Sequence, residues 1–80
     1  AMTPILTHDR EADAIYVKLR DAPYAYGEDL DHERRIDYDR TGAPVGLELL
    51  CVSQGVNLDD LPQRPLLGRL LEEYGIRVFA

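Results

Sequence analysis

The stretch from Asp37 to Glu48 reads DYDRTGAPVGLE and has the spacing of a calcium-binding loop. Asp37, Asp39 and Thr41 bring oxygen atoms to loop positions 1, 3 and 5, with Gly42 at position 6 and Glu48 at position 12, as in an EF-hand. What flanks the loop decides its meaning. An EF-hand needs a helix on each side, whereas RRIDYD before the loop and VGLELL after it alternate with period two. Ile36 and Tyr38 sit on either side of Asp37, and Val45, Leu47 and Leu49 repeat the alternation, which is strand behaviour. Position 8, normally aliphatic, is Pro44. On a returning strand Glu48 stands several steps of ~3.3 Å from the turn, too far to close a cation site. The stretch is therefore read as a β-hairpin with Asp39-Arg-Thr-Gly42 as its turn.

The same period continues outward from the hairpin. In AIYVKLR, Ile15, Val17 and Leu19 point one way while Tyr16, Lys18 and Arg20 point the other, as in a half-buried antiparallel strand. ILTH before it is a weaker strand, and DREADA is the polar connection between them. After a turn at Asp21–Pro23, YAYGEDL returns as a strand whose Gly27 and acids suit a bulge or a sheet edge. Beyond Leu50 the pattern changes. CVSQGVNLDDLPQRP is a loop region, and PLLGRLLEEYG carries an apolar stripe of Leu66, Leu67, Leu70, Leu71 and Tyr74 at helical spacing. Pro65 suits a first turn and Gly75 a C-terminal stop, while Gly68 costs about 1 kcal/mol against alanine. IRVFA is a short terminal strand or an extended tail.

These segments predict an α+β fold. An antiparallel β-meander of about four strands has one face covered by a helix from about Leu66 to Tyr74, inside residues 65–75. The expected core joins Ile15, Val17, Leu19, Ile36 or Tyr38, Val45, Leu47 and Leu49 to Leu67, Leu70 and Leu71. Residues 1–80 are read as one domain, with the sheet in about 5–52 and a C-terminal extension in about 53–80. Gly46 permits a close approach across strands by Tyr16 or Tyr38, and Glu48 is expected to pair with Lys18 or Arg35.

The chain has 80 residues and a net charge of −6, with its acids spread along its length. That balance argues against a phosphate-binding surface and so against nucleic acid. No apolar run approaches the ~20 residues of a membrane span, and no signal peptide is visible. Ala1 before Met2 reads as a remnant of tag removal. A lone cysteine, Cys51, forms no internal disulfide, and a reducing cytosol is the expected location. One sheet with one helix leaves a face uncovered, and Tyr16, with Tyr24 or Tyr26 and Leu50, is expected on it. A homodimer is expected on that ground, with IRVFA either in the interface or folded back on its own core.

Among chemistry-bearing groups, Asp9, Glu11 and Asp13 form D-x-E-x-D, a spacing able to hold Mg²⁺ or Ca²⁺ and, more commonly, to cap a turn. His8 and His32 stand at unrelated spacing beside acids, and Cys51 next to an apolar strand reads as core. No nucleophile elbow or phosphate loop is present. No catalytic set and no cofactor site are predicted.

HDREADAIYVKLRD followed by RRIDYDRTGAPVGLELL resembles the small bacterial proteins grouped as DUF2283. Their pattern runs roughly YD-x-E-A-D-A-L-Y-I-x-L, then D-x-D-x-x-G-x-x-V-G-I-E-I-L. Asp9, Glu11, Ala12, Asp13, Ala14, Tyr16 and Leu19 match its first part, and Asp37, Asp39, Gly42, Gly46, Glu48 and Leu50 its second. His8 replaces the usual Tyr, and Pro44 lies inside the turn. The likeness covers about residues 5–52 and implies no activity. In size and acidity such proteins resemble the antitoxin halves of toxin–antitoxin pairs. The expectation is a non-catalytic protein-binding module meeting a basic partner. The alternative is a small metal-dependent enzyme using Asp9, Glu11 and Asp13.

Overall fold

A computed structural model describes residues 4–79, so the reading of Ala1 as a tag remnant lies outside them. Five strands, β1 (Ile5–Asp9), β2 (Ala14–Lys18), β3 (Tyr26–Asp29), β4 (Arg34–Tyr38) and β5 (Pro44–Leu50), form one antiparallel sheet in the order β1-β2-β5-β4-β3. This corrects the expected meander of about four strands. The chain makes a β1–β2 hairpin and a β3–β4–β5 meander, and β5 docks beside β2 to become the central strand. The pleat explains the choice: β2 and β5 carry the densest apolar alternation, and adjacency puts Ile15 opposite Leu49 and Val17 opposite Leu47 on one face.

After β5 follow a single turn of 3-10 helix (Val52–Gln54), β6 (Val56–Asn57), helix α1 (Arg64–Glu73) and β7 (Val78–Phe79). Pro65 stands in the first turn of α1 as expected. Gly75 has φ +76°, and two bonds close the helix end: Gly75 N–H donates to the Glu72 carbonyl and Ile76 N–H to the Leu71 carbonyl. This cap turns the chain back and drops Ile76 into the core. The IRVFA segment then pairs in parallel with β6, Val56 opposite Val78. Within the chain the tail thus folds back on its own core.

The core is the face of the sheet under α1. Ile15, Val17, Leu19, Ile36, Leu47, Leu49 and, from the 3-10 turn, Val52 pack with Val56, Leu61, Leu67, Leu71 and Ile76 of the extension. Tyr38 and Leu70 border this cluster half-buried. Val45 is buried outside it. It is the extra residue of a bulge, because Asp37 faces Gly46 while Tyr38 faces Pro44, and its carbonyl accepts from both Leu19 and Arg20 N–H groups. Arg34, on the core side of β4, ties the extension to the sheet: its guanidinium donates to the Asn57 and Asp59 carbonyls and pairs with Asp31.

Candidate functional site

Among the described residues, no element covers the other face of the sheet. Its rows follow from the register: Thr7, Tyr16, Glu48, Arg35 and Asp29 run across the five strands, with Lys18, Gly46, Asp37 and Gly27 beside them. Two glycines make this face flat. A Cβ built on Gly46 would lie 1.9 Å from Tyr16 Oη, and one on Gly27 would lie 2.5 Å from a terminal nitrogen of Arg35. The Tyr16 ring therefore lies across the central strand and its hydroxyl donates to Asp37 Oδ2 at 2.9 Å. Burial, then the bond to Asp37, pushes the Tyr16 phenol up to about 12, so it stays protonated and remains a donor at neutral pH. Arg35 spreads over Gly27, pairing with Asp29 at 3.1 Å and Asp37 at 3.3 Å and donating to Tyr24 Oη.

Of the two rings proposed for Gly46, Tyr16 is the one that covers it. Tyr24 joins the open face, whereas Tyr26 stacks on Tyr38 with centroids 5.2 Å apart and leaves that face. Glu48 lies between Tyr16 and Arg35 in the register but pairs with neither Lys18 nor Arg35. Lys18 reaches Asp21 instead, and Arg35 finds Asp29 and Asp37 nearer along its own spread.

Replacing Gly46 by alanine should cost about 1–3 kcal/mol, because the Tyr16 ring must swing off the strand and give up Asp37. In a Tyr16→Ala background the same change should be neutral or stabilising, since alanine suits a strand better than glycine. Urea denaturation of the four proteins of this cycle measures the coupling, and additive losses would contradict the packing of ring on glycine.

The D-x-E-x-D residues do different work from one another. Asp9 Oδ1 caps the β1–β2 turn by accepting from Ala12 N–H. Asp13, with φ +55°, accepts from Ser53 N–H at 3.0 Å and Ser53 Oγ at 2.6 Å, which locks the turn to the 3-10 helix. Glu11 is exposed and, among the described residues, makes neither kind of contact. Among the described residues no group of three His, Cys, Asp or Glu side chains is gathered to hold a metal ion.

The calcium-like stretch is the β4–β5 hairpin. Asp39 Oδ1 accepts from Thr41 N–H, Thr41 Oγ1 and Ala43 N–H, and Oδ2 takes Arg20 at 2.8 Å. The bonds from Thr41 and Ala43, then Arg20, hold this carboxyl well below the usual carboxylate range. A depressed folded value means stability that is present at neutral pH and drains away as pH falls below the unfolded value of about 4. Asp39→Asn should thus have a lower urea midpoint than the parent at pH 7, and the gap should narrow steadily toward pH 2. A gap that held constant across that range would show that the ionised form is not what the turn uses.

His8 faces the core side of β1 and is half-buried, with Nδ1 buried and no hydrogen-bond partner among the described residues. Cys51 is exposed, correcting its reading as core. It occupies the left-handed region at the end of β5 (φ 56°), where the chain leaves the sheet.

Comparison with protein families matches residues 6–53 to the family described as "Protein of unknown function (DUF2283)". The chain belongs to the DUF2283 family. Comparison with curated proteins and with solved structures returns no match. Apart from Ile5 at the start of β1, the family segment carries the five strands of the main sheet, and it ends within the 3-10 helix. Four of its acidic motif positions do architectural work: Asp9, Asp13 and Asp39 fix turns, and Asp37 fixes Tyr16. Among the described residues Glu11 and Glu48 have no such task. Helix α1, β6 and β7 lie outside the DUF2283 segment yet complete its core. No helix among the described residues is long and apolar enough to cross a membrane.

Proposed function

We propose that this chain is a non-catalytic protein-binding module that works in the cytosol through the uncovered face of its sheet. The observation that carries the reading is the open face itself. Tyr16 and Arg35 lie flat over Gly46 and Gly27, held by Asp37 and Asp29, so two interface-prone side chains are ordered before any partner arrives. Tyr24 and Ile5 are exposed on the same side. The tyrosine hydroxyl and the guanidinium are spent on structure, which leaves the face better suited to docking than to proton transfer.

Two occupants fit: a second copy, giving a homodimer, and a basic protein, in the manner of an antitoxin meeting its toxin. The net charge of −6 favours the basic protein, because two copies would bring like-charged faces together. A photo-crosslinking residue in place of Thr7 on the open face, or of Arg69 on the exposed side of α1, tests the reading in the native host. A discrete adduct from position 7 and none from position 69 is the expected result, and its mass separates a second copy from another protein. Equal adducts from both positions, or none from position 7, would overturn it.

A further inference from the structure

At one end of the sheet two clefts adjoin, the first opening on the uncovered face and the second running round to the core side. The first, of ≈ 270 Å³, lies between β5 and the β3–β4 turn and is lined by Asp29, Glu33, Arg35, Glu48 and Leu50 among others. The second, of ≈ 170 Å³, shares the wall of Asp31, Glu33, Arg34 and Leu50 and runs on to Gly55, Val56 and Phe79. One wall therefore comes from the DUF2283 segment and the far end from the C-terminal extension. The first cleft sets four carboxylates against two guanidiniums. Both guanidiniums are already committed, Arg34 to Asp31 and two backbone carbonyls, Arg35 to Asp29 and Asp37. Among the described residues, Glu33 and Glu48 have no ion pair. Beside these acids stand two apolar side chains left open, Leu50 at 37% and Phe79 at 52% exposure.

We infer that this double cleft receives one arginine or lysine side chain of a basic partner protein between Glu33 and Glu48, with a neighbouring apolar side chain seated between Leu50 and Phe79. The inference rests on the protein-binding reading above and assigns it a place and a chemistry. Charge complementarity chooses the cation, since uncompensated carboxylates on a rigid strand and turn gain a partner without first breaking a pair. The two open apolar groups choose the neighbour, because a cation alone would leave Phe79 in water.

The test titrates the isotope-labelled intact chain with a capped hexapeptide of alternating arginine and leucine at low salt, followed by amide chemical shifts. Capped arginine–serine and glutamate–leucine hexapeptides serve as controls. Shifts should concentrate at residues 31–35, 48–50, 56 and 79, be absent with the glutamate peptide, and fade as salt is added. Glu33→Gln and Glu48→Gln should each weaken binding about three- to fivefold, the range of exposed ion pairs. Phe79→Ala should weaken the leucine peptide and leave the serine peptide unchanged. Undiminished binding to the double glutamine variant, with its amide spectrum still dispersed, would overturn the inference. So would no shift up to millimolar peptide, or shifts centred on Thr7 or Tyr24. Each of those failures leaves the broader binding reading to its own crosslinking result.

Discussion

Leu47→Ala should lower the stability of this protein by about 3–4 kcal/mol, the middle of the range for a buried leucine. Leu47 is fully buried in the central strand, opposite Val17 on one side and Ile36 on the other, beneath α1. Neighbouring strands on both sides hold the backbone, so the cavity has little freedom to collapse. An 80-residue domain has roughly 4–12 kcal/mol to lose, and each kcal/mol moves the melting temperature of a chain this size by about 4–8 °C. A fall of roughly 12–32 °C follows. Leu50→Ala, three residues on and pointing to the open face, supplies the contrast: it should cost under about 1 kcal/mol. Similar losses at the two positions would mean that the buried and open faces of β5 have been exchanged.

The second large effect belongs to the tail. Ile76 is buried in the core, Val78 packs against it, and the Arg77 and Phe79 carbonyls accept from Val56 and Leu58 N–H groups. Ile76→Ala should cost about 2–4 kcal/mol, and ending the chain after Gly75 should cost at least as much. The loss should be independent of protein concentration, because the contacts lie within one chain. Thermal denaturation over a hundredfold dilution series checks this. A penalty that grows on dilution would place these residues in an intermolecular contact instead.

What could be read from the residues was what is periodic and local. The β4–β5 hairpin, β2 and the leucine stripe of α1 all declare themselves by spacing, and the Asp39 turn by its chemistry. The strand order did not, because placing β5 beside β2 depends on pairs such as Ile15 with Leu49, for which no short-range signal exists. β6 and β7 are two residues each, too short for any period. On the open face, Gly46 announced a close approach, but the fate of Glu48 turned on where the longer arm of Arg35 could reach. Arg34 stands beside Arg35 in the chain. One step along the strand placed it on the core side, where its head group serves the extension. Cys51 looked apolar by neighbourhood, and a left-handed backbone at that residue turned it outward.

The single seam between β2 and β5 also sets the order in which the molecule assembles. Pairs within β3, β4 and β5, such as Ile36 with Leu47, span short loops and form on the time scale of a hairpin, microseconds. Pairs across the seam, such as Val17 with Leu47, must first close a much longer loop, whose entropy is spent before any contact repays it. Joining the two hairpin units is therefore the slow event. Side chains of β2 should contribute little to the folding transition state until that event, and those of β4 and β5 much more.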